Sequence, residues 1–132
     1  ARVPDDADAV TVVLTTAPDG ETAERIARAL VGEGLIACAN VVPGVTSIYR
    51  WEGEVRRDGE VLVVMKTTRG RLAALFGRAA ELHPYEVPEL LALDVSAGLP
   101  AYGRWVADET QAGVRGDGEP PRATRIENAA QE

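Results

Sequence analysis

One histidine, one cysteine and one lysine stand out as chemistry-bearing residues of this 132-residue chain. His83 stands directly before Pro84-Tyr85. Its imidazole could ligate a metal or carry a proton near neutral pH. The competing role is a packed helix-terminal ring, favoured at the negative end of the helix dipole when charged. Cys38 lies between Ala37 and Ala39. As a ligand its sulfur would be soft, suited to copper or zinc rather than magnesium; the favoured reading of a free cysteine is a small buried hydrophobe. No CxxC, HxH or HExxH spacing is present. A closed zinc site needs four ligands, which the His and Cys supply of one chain cannot fill without carboxylates or neighbouring subunits.

Other groups are weaker signals. Glu52, Glu54, Glu86 and Glu89 offer carboxylates, but spacing alone does not make an acid/base pair. Ser47 and Ser96 lack the flanking glycines of a nucleophile elbow. Thr15 to Gly20 runs from a strand into a helix without a phosphate-loop pattern. Residue chemistry alone therefore does not reach an enzyme, and none is expected. Tyr49, Trp51, Tyr85, Tyr102 and Trp105 are five of the six aromatics. Rings with polar tips belong to interfaces or pockets, and an interface is the favoured reading.

The elements that must position these groups follow from hydrophobic periodicity. Val10 to Thr16 reads as a strand too apolar to be buried on one face only. Asp19 or Thr22 is placed to cap a helix carrying Ala23, Ile26, Ala27 and Leu30 on one stripe, which Gly32 and Gly34 end. Ala37 to Glu52 reads as one long strand kinked at Pro43-Gly44. It is far longer than the usual five to six residues, so its distal half must pair outside an ordinary small sheet, or with another chain. Glu52 to Gly59 suits a hairpin connection and Glu60 to Thr68 the returning strand. A second helix spans Arg69 to His83 and stops before Pro84. Val87 to Val95 makes a fourth strand, at an edge because of Pro88. Tyr102, Trp105 and Val106 sit on a short third helix.

The order is that of a ferredoxin-like α+β fold, βαββαβ, with a short C-terminal helix. Residues 1–110 form one domain and 111–132 an irregular or disordered tail without apolar periodicity. In such a fold both long helices cover one sheet face, leaving the other apolar face open. A second copy of the chain is its expected cover. The net charge of −7 and the absence of a Lys/Arg cluster argue against nucleic acid. No apolar run reaches membrane-spanning length and no signal peptide is visible, so a soluble, cytoplasmic protein is expected.

The runs TTAPDGETAERIARALVGEGLIACANVVPGVTSIYRWEGEV, EVLVVMKTT, HPYEVPELLALDV and YGRW, in that order, strongly resemble the CutA family of divalent-cation tolerance proteins. The resemblance covers Val10 to about Glu109. It implies a compact homotrimer with hairpins paired across subunits, an architecture similar to that of the PII signalling proteins. It further implies a role in tolerance of divalent metals, notably copper, with no obligatory cofactor and no settled catalytic activity. Two positions described as copper ligands in some bacterial relatives hold Thr15 and Leu82 here, so that only His83 matches. Cys38, Lys66, Tyr49, Trp51, His83, Tyr85 and Glu89 match the family pattern and are implied to line a cleft between subunits. A small ligand held there is the alternative to a metal.

Overall fold

The computed structural model describes residues 6–111. Past its first residue, the expected tail lies outside the described residues. Four strands, β1 (Val10–Ala17), β2 (Cys38–Trp51), β3 (Glu54–Thr68) and β4 (Leu91–Asp94), form one antiparallel sheet in the order β2-β3-β1-β4. Three helices, α1 (Gly20–Gly32), α2 (Leu72–Leu82) and α3 (Pro100–Glu109), complete a ferredoxin-like α+β fold.

Alternation along the strands decides which face is which. On β1, Thr11, Val13, Thr15 and Ala17 are buried while Val10, Val12, Leu14 and Thr16 are only half-buried. On β3 the buried set is Val61, Val63, Met65 and Thr67. These odd-numbered apolar positions meet Ala23, Ile26 and Leu30 of α1 and Leu75 and Ala79 of α2 in one continuous core. The side chain of Asp19 caps α1 by accepting the Thr22 N–H at 2.8 Å.

β2 and β3 extend beyond the sheet as a two-stranded ribbon. β1 pairs β3 only from Val61 to Thr68, whereas β2 follows β3 out to Trp51↔Glu54. The long strand therefore pairs within its own chain. The register slips between Val42 and Val45, where Gly44 has φ +79°, so Pro43-Gly44 forms the expected bulge. The hairpin connection is shorter than the expected Glu52 to Gly59. Only Glu52 (φ 52°) and Gly53 (φ 78°) lie between the paired residues Trp51 and Glu54. Positive φ at both central positions is the type I′ geometry whose twist suits a two-residue hairpin, and it releases Glu54 to Gly59 into β3.

Two further boundaries differ from expectation. A 3₁₀ turn occupies Arg69–Arg71 before α2, and His83 leaves the helix with an extended backbone because proline follows. β4 is four residues long rather than the expected Val87 to Val95. It does lie at the sheet edge, paired to Thr11–Leu14 of β1. α3 begins with Pro100 in its first turn and packs Trp105 and Val106 on Ala37, beside Val10, Cys38 and Tyr102. It thus covers one end of the face that the other two helices leave open. The rest of that face carries Val42, Leu91 and Leu93 at 41%, 56% and 49% exposure.

Leu75 is fully buried between α2 and the sheet. Leu75→Ala should lower stability by about 2–5 kcal/mol, read as a lower urea midpoint at unchanged slope; an unchanged midpoint would show that this core does not support the fold.

Candidate functional site

The residues singled out from the sequence fall into two groups at different levels of the sheet. One lies at the α3 end of the open face. Cys38 faces Lys66 directly across β2 and β3, and Lys66 faces Val12 on β1. The Lys66 ammonium donates to the side-chain oxygen of Asn40. The Cys38 Sγ lies 3.5 Å from the Tyr102 hydroxyl, and the Tyr102 ring is tilted against Trp105 with centroids 5.6 Å apart. Trp105 is buried, and its indole Nε1 has no hydrogen-bond partner.

The second group sits where the ribbon leaves the sheet. Past the last β1–β4 pairing at Leu14↔Leu91, the Thr16 carbonyl accepts a hydrogen bond from His83 Nε2 at 2.7 Å. His83 Nδ1 accepts the Tyr85 N–H at 3.1 Å, and the two rings lie 4.7 Å apart. That pair of contacts assigns a neutral imidazole protonated on Nε2. The ring stands in for a missing strand neighbour and is 7% exposed. The Tyr85 hydroxyl donates to Glu60 at 2.7 Å, and the Tyr49 hydroxyl donates to Asp58.

Tyr85 and Tyr49 both hold their protons beyond the ordinary phenol range. Burial first, then the hydrogen bond to the Glu60 carboxylate, raise the Tyr85 value; the hydrogen bond to Asp58 first, then burial, raise that of Tyr49. Trp51 lies beside the hairpin turn at 56% exposure, and Glu89 is exposed in the segment before β4.

Within one chain, Cys38 and His83 are not brought together. Cys38 is level with Val12 and His83 contacts Thr16. Those β1 positions are about 13 Å apart along a strand, whereas two ligands of one ion must approach within about 4 Å of each other. Among the described residues, no three His, Cys, Asp or Glu side chains are grouped to hold a metal. Sequence reasoning missed Asn40, Asp58 and Glu60. The roles of Asn40 and Asp58 depend on which residues face one another across β2 and β3, readable only once the hairpin turn was fixed at Glu52-Gly53, while that of Glu60 depends on where the segment after α2 places Tyr85.

Comparison with known proteins places these observations among relatives. The family model for the CutA1 divalent ion tolerance protein matches residues 11–109. The chain is 50% identical over 99 residues to a divalent-cation tolerance protein CutA from Thermus thermophilus, spanning 75% of this chain and 96% of that protein. It is 42% identical over 102 residues to protein CutA of Mus musculus, spanning 77% of this chain and 58% of the mouse protein. Among solved structures, the divalent cation tolerance protein of Thermus thermophilus superposes with a TM-score of 0.76 at 49% identity, over 77% of this chain and 99% of that one. CutA1 from Oryza sativa does so with a TM-score of 0.77 at 37% identity, over 81% of this chain and 98% of that one.

The raised phenol of Tyr85 has a signed consequence. Its folded value lies above the ordinary 10.0, so its contribution to stability is complete below about pH 10 and is lost as pH climbs through the raised value. In an alkaline absorbance titration, Tyr85→Phe should delete a late phenolate step; native protein whose three tyrosines all ionise near pH 10 would contradict the burial and pairing of this ring.

Proposed function

The chain belongs to the CutA1 divalent ion tolerance family, and from that premise we propose that it serves divalent-cation tolerance as a cytoplasmic homotrimer that takes up copper weakly and catalyses no reaction. The observation that carries the reading is the open sheet face. Val42, Leu91 and Leu93 remain exposed after α3 has covered its one end, and the β2–β3 ribbon runs past the sheet with its outer edges unpaired in the chain. Apolar sheet surface and free strand edges are what a second and third copy would cover. Cys38 is a free thiol, consistent with a reducing compartment.

Weak uptake follows from how the ligands are already engaged. A metal at His83 must displace the Tyr85 N–H from Nδ1 or the Thr16 carbonyl contact at Nε2. Either costs a hydrogen bond of about 0.5–1.5 kcal/mol, and further ligands must come from other copies. Cys38 supplies a soft donor at the other level of the sheet.

A second reading is favoured by Lys66. It is half-buried on the open face, its hydrogen bond goes to a neutral amide, and none of the ion pairs among the described residues involves it. In this reading the cleft between copies takes a small molecule. Lys66 is the charged contact, Tyr49, Trp51, Tyr85, Tyr102 and Trp105 provide walls, and Glu89 lies at the rim.

Isothermal titration of the reduced protein with Cu²⁺ tests the first reading. Uptake should weaken about tenfold, or ~1.4 kcal/mol, in His83→Gln or Cys38→Ser; no heat of binding at any concentration up to millimolar would overturn it.

A further inference from the structure

We infer that the groove between α1 and the outer edge of β2 is the docking site of the chain's own segment 122–128, RATRIEN, with Ile126 seated on its floor. The groove lies on the helix-covered side of the sheet, so its assignment does not rest on the cover given above to the open face. β2 is an edge strand, and α1 packs over it leaving a cavity of about 410 Å³ alongside. Ala27 and Val31 of α1 and Ala39 and Val41 of β2 line it with apolar atoms. Glu24 and Arg28 stand at its rim, and Gly32 marks the end nearest the α1 C-terminus. Val31 is 43% exposed beside these apolar neighbours. The lining suits one aliphatic side chain better than a polar small molecule, since the groups that would orient such a ligand sit only at the rim.

The place where the described chain leaves the fold selects the occupant. Thr110 is buried, with its hydroxyl donating to the Val106 carbonyl at 2.8 Å and 3.4 Å from the Thr68 hydroxyl. The Glu109 carbonyl stands 3.8 Å from where a Cβ on Gly34 would lie. The exit is therefore anchored beside the turn that ends α1, next to Gly32 of the groove. From Gly32 back to Glu24 the helix runs about 12 Å, and residues 112–121 can span up to about 33 Å. Those residues hold Gly113, Gly116, Gly118, Pro120 and Pro121, a linker composition, whereas 122–132 contain neither glycine nor proline. Within 122–132, Ile126 is the one apolar residue larger than alanine.

Charge spacing fixes the register. In an extended segment Arg125 and Glu127 point away from Ile126 and stand about 6–7 Å apart. Glu24 and Arg28 form an ion pair at 3.6 Å and are about 6 Å apart along α1. With Ile126 on the floor, Arg125 meets Glu24 and Glu127 meets Arg28 at the solvent-facing rim. These exposed pairs orient the segment more than they hold it. The tether supplies the rest: a short flexible linker gives an effective concentration in the millimolar range, so an intrinsic Kd of about 1 mM already fills half the grooves.

Methyl NMR of the full-length protein tests the assignment. The isoleucines are Ile26, Ile36, Ile48 and Ile126, so the Ile126 methyl is readily assigned by substitution. It should show nuclear Overhauser contacts to the Val31 and Ala39 methyls. Val31→Asp should lower the docked fraction at least tenfold and return Ile126 to random-coil shifts. Ile126→Ser, outside the folded core, should move the Val31 and Val41 resonances and leave those of Leu75 in place. Random-coil Ile126 shifts in the native protein, or contacts that survive Val31→Asp, would overturn the inference. So would contacts seen only between labelled and unlabelled copies, which put another chain's segment in the groove, or folded residues of a neighbouring copy found against Val31 in place of Ile126.

Discussion

An antiparallel sheet has two faces, and the helices among the described residues cover only one and a fraction. α1 and α2 bury the odd-numbered positions of β1 and β3 in a continuous aliphatic core. α3 closes the corner formed by Ala37, Cys38 and Val10 on the other side. Beyond that corner the sheet presents Val42, Leu91 and Leu93 to solvent. This imbalance places both groups of candidate functional residues. The Lys66 group lies on the poorly covered face, and the His83 group lies at the margin where β1 outruns β4.

The two groups differ in how far their hydrogen bonds are satisfied within one chain. Around His83 the network is closed: Nε2 to Thr16, Nδ1 to Tyr85, and Tyr85 on to Glu60. Such a network fixes the entry to the segment before β4 and holds β3, β1 and the end of α2 together, which is a structural role with a defined tautomer. Around Lys66 the buried indole N–H of Trp105 is unpaired and the cation is bonded to a neutral oxygen. A closed network resists a ligand because something must be broken to admit one.

Much of the architecture was legible in the residues. Val/Ile/Thr-rich runs, the alanine-rich stripe of α1 with its Asp19 cap, and the proline-terminated second helix gave the element order and the sheet class. The site was less legible because it depends on cross-strand register. Asn40 and Asp58 became visible as partners only when Glu52-Gly53 proved to be the whole turn, since a longer connection would oppose different residues. The charged sequence of residues 54–59 looks like a loop by composition. It is strand because a two-residue type I′ turn starts the return immediately. His83 was placed correctly before Pro84, but its carbonyl partner is 67 residues away and no local pattern encodes it.

The central claim is that the apolar sheet face is completed by copies of the same chain. Sedimentation velocity of the native protein at low micromolar concentration addresses it most directly. The account predicts a single compact species of three times the chain mass with no monomer boundary; a folded, monodisperse species at the mass of one chain would contradict it.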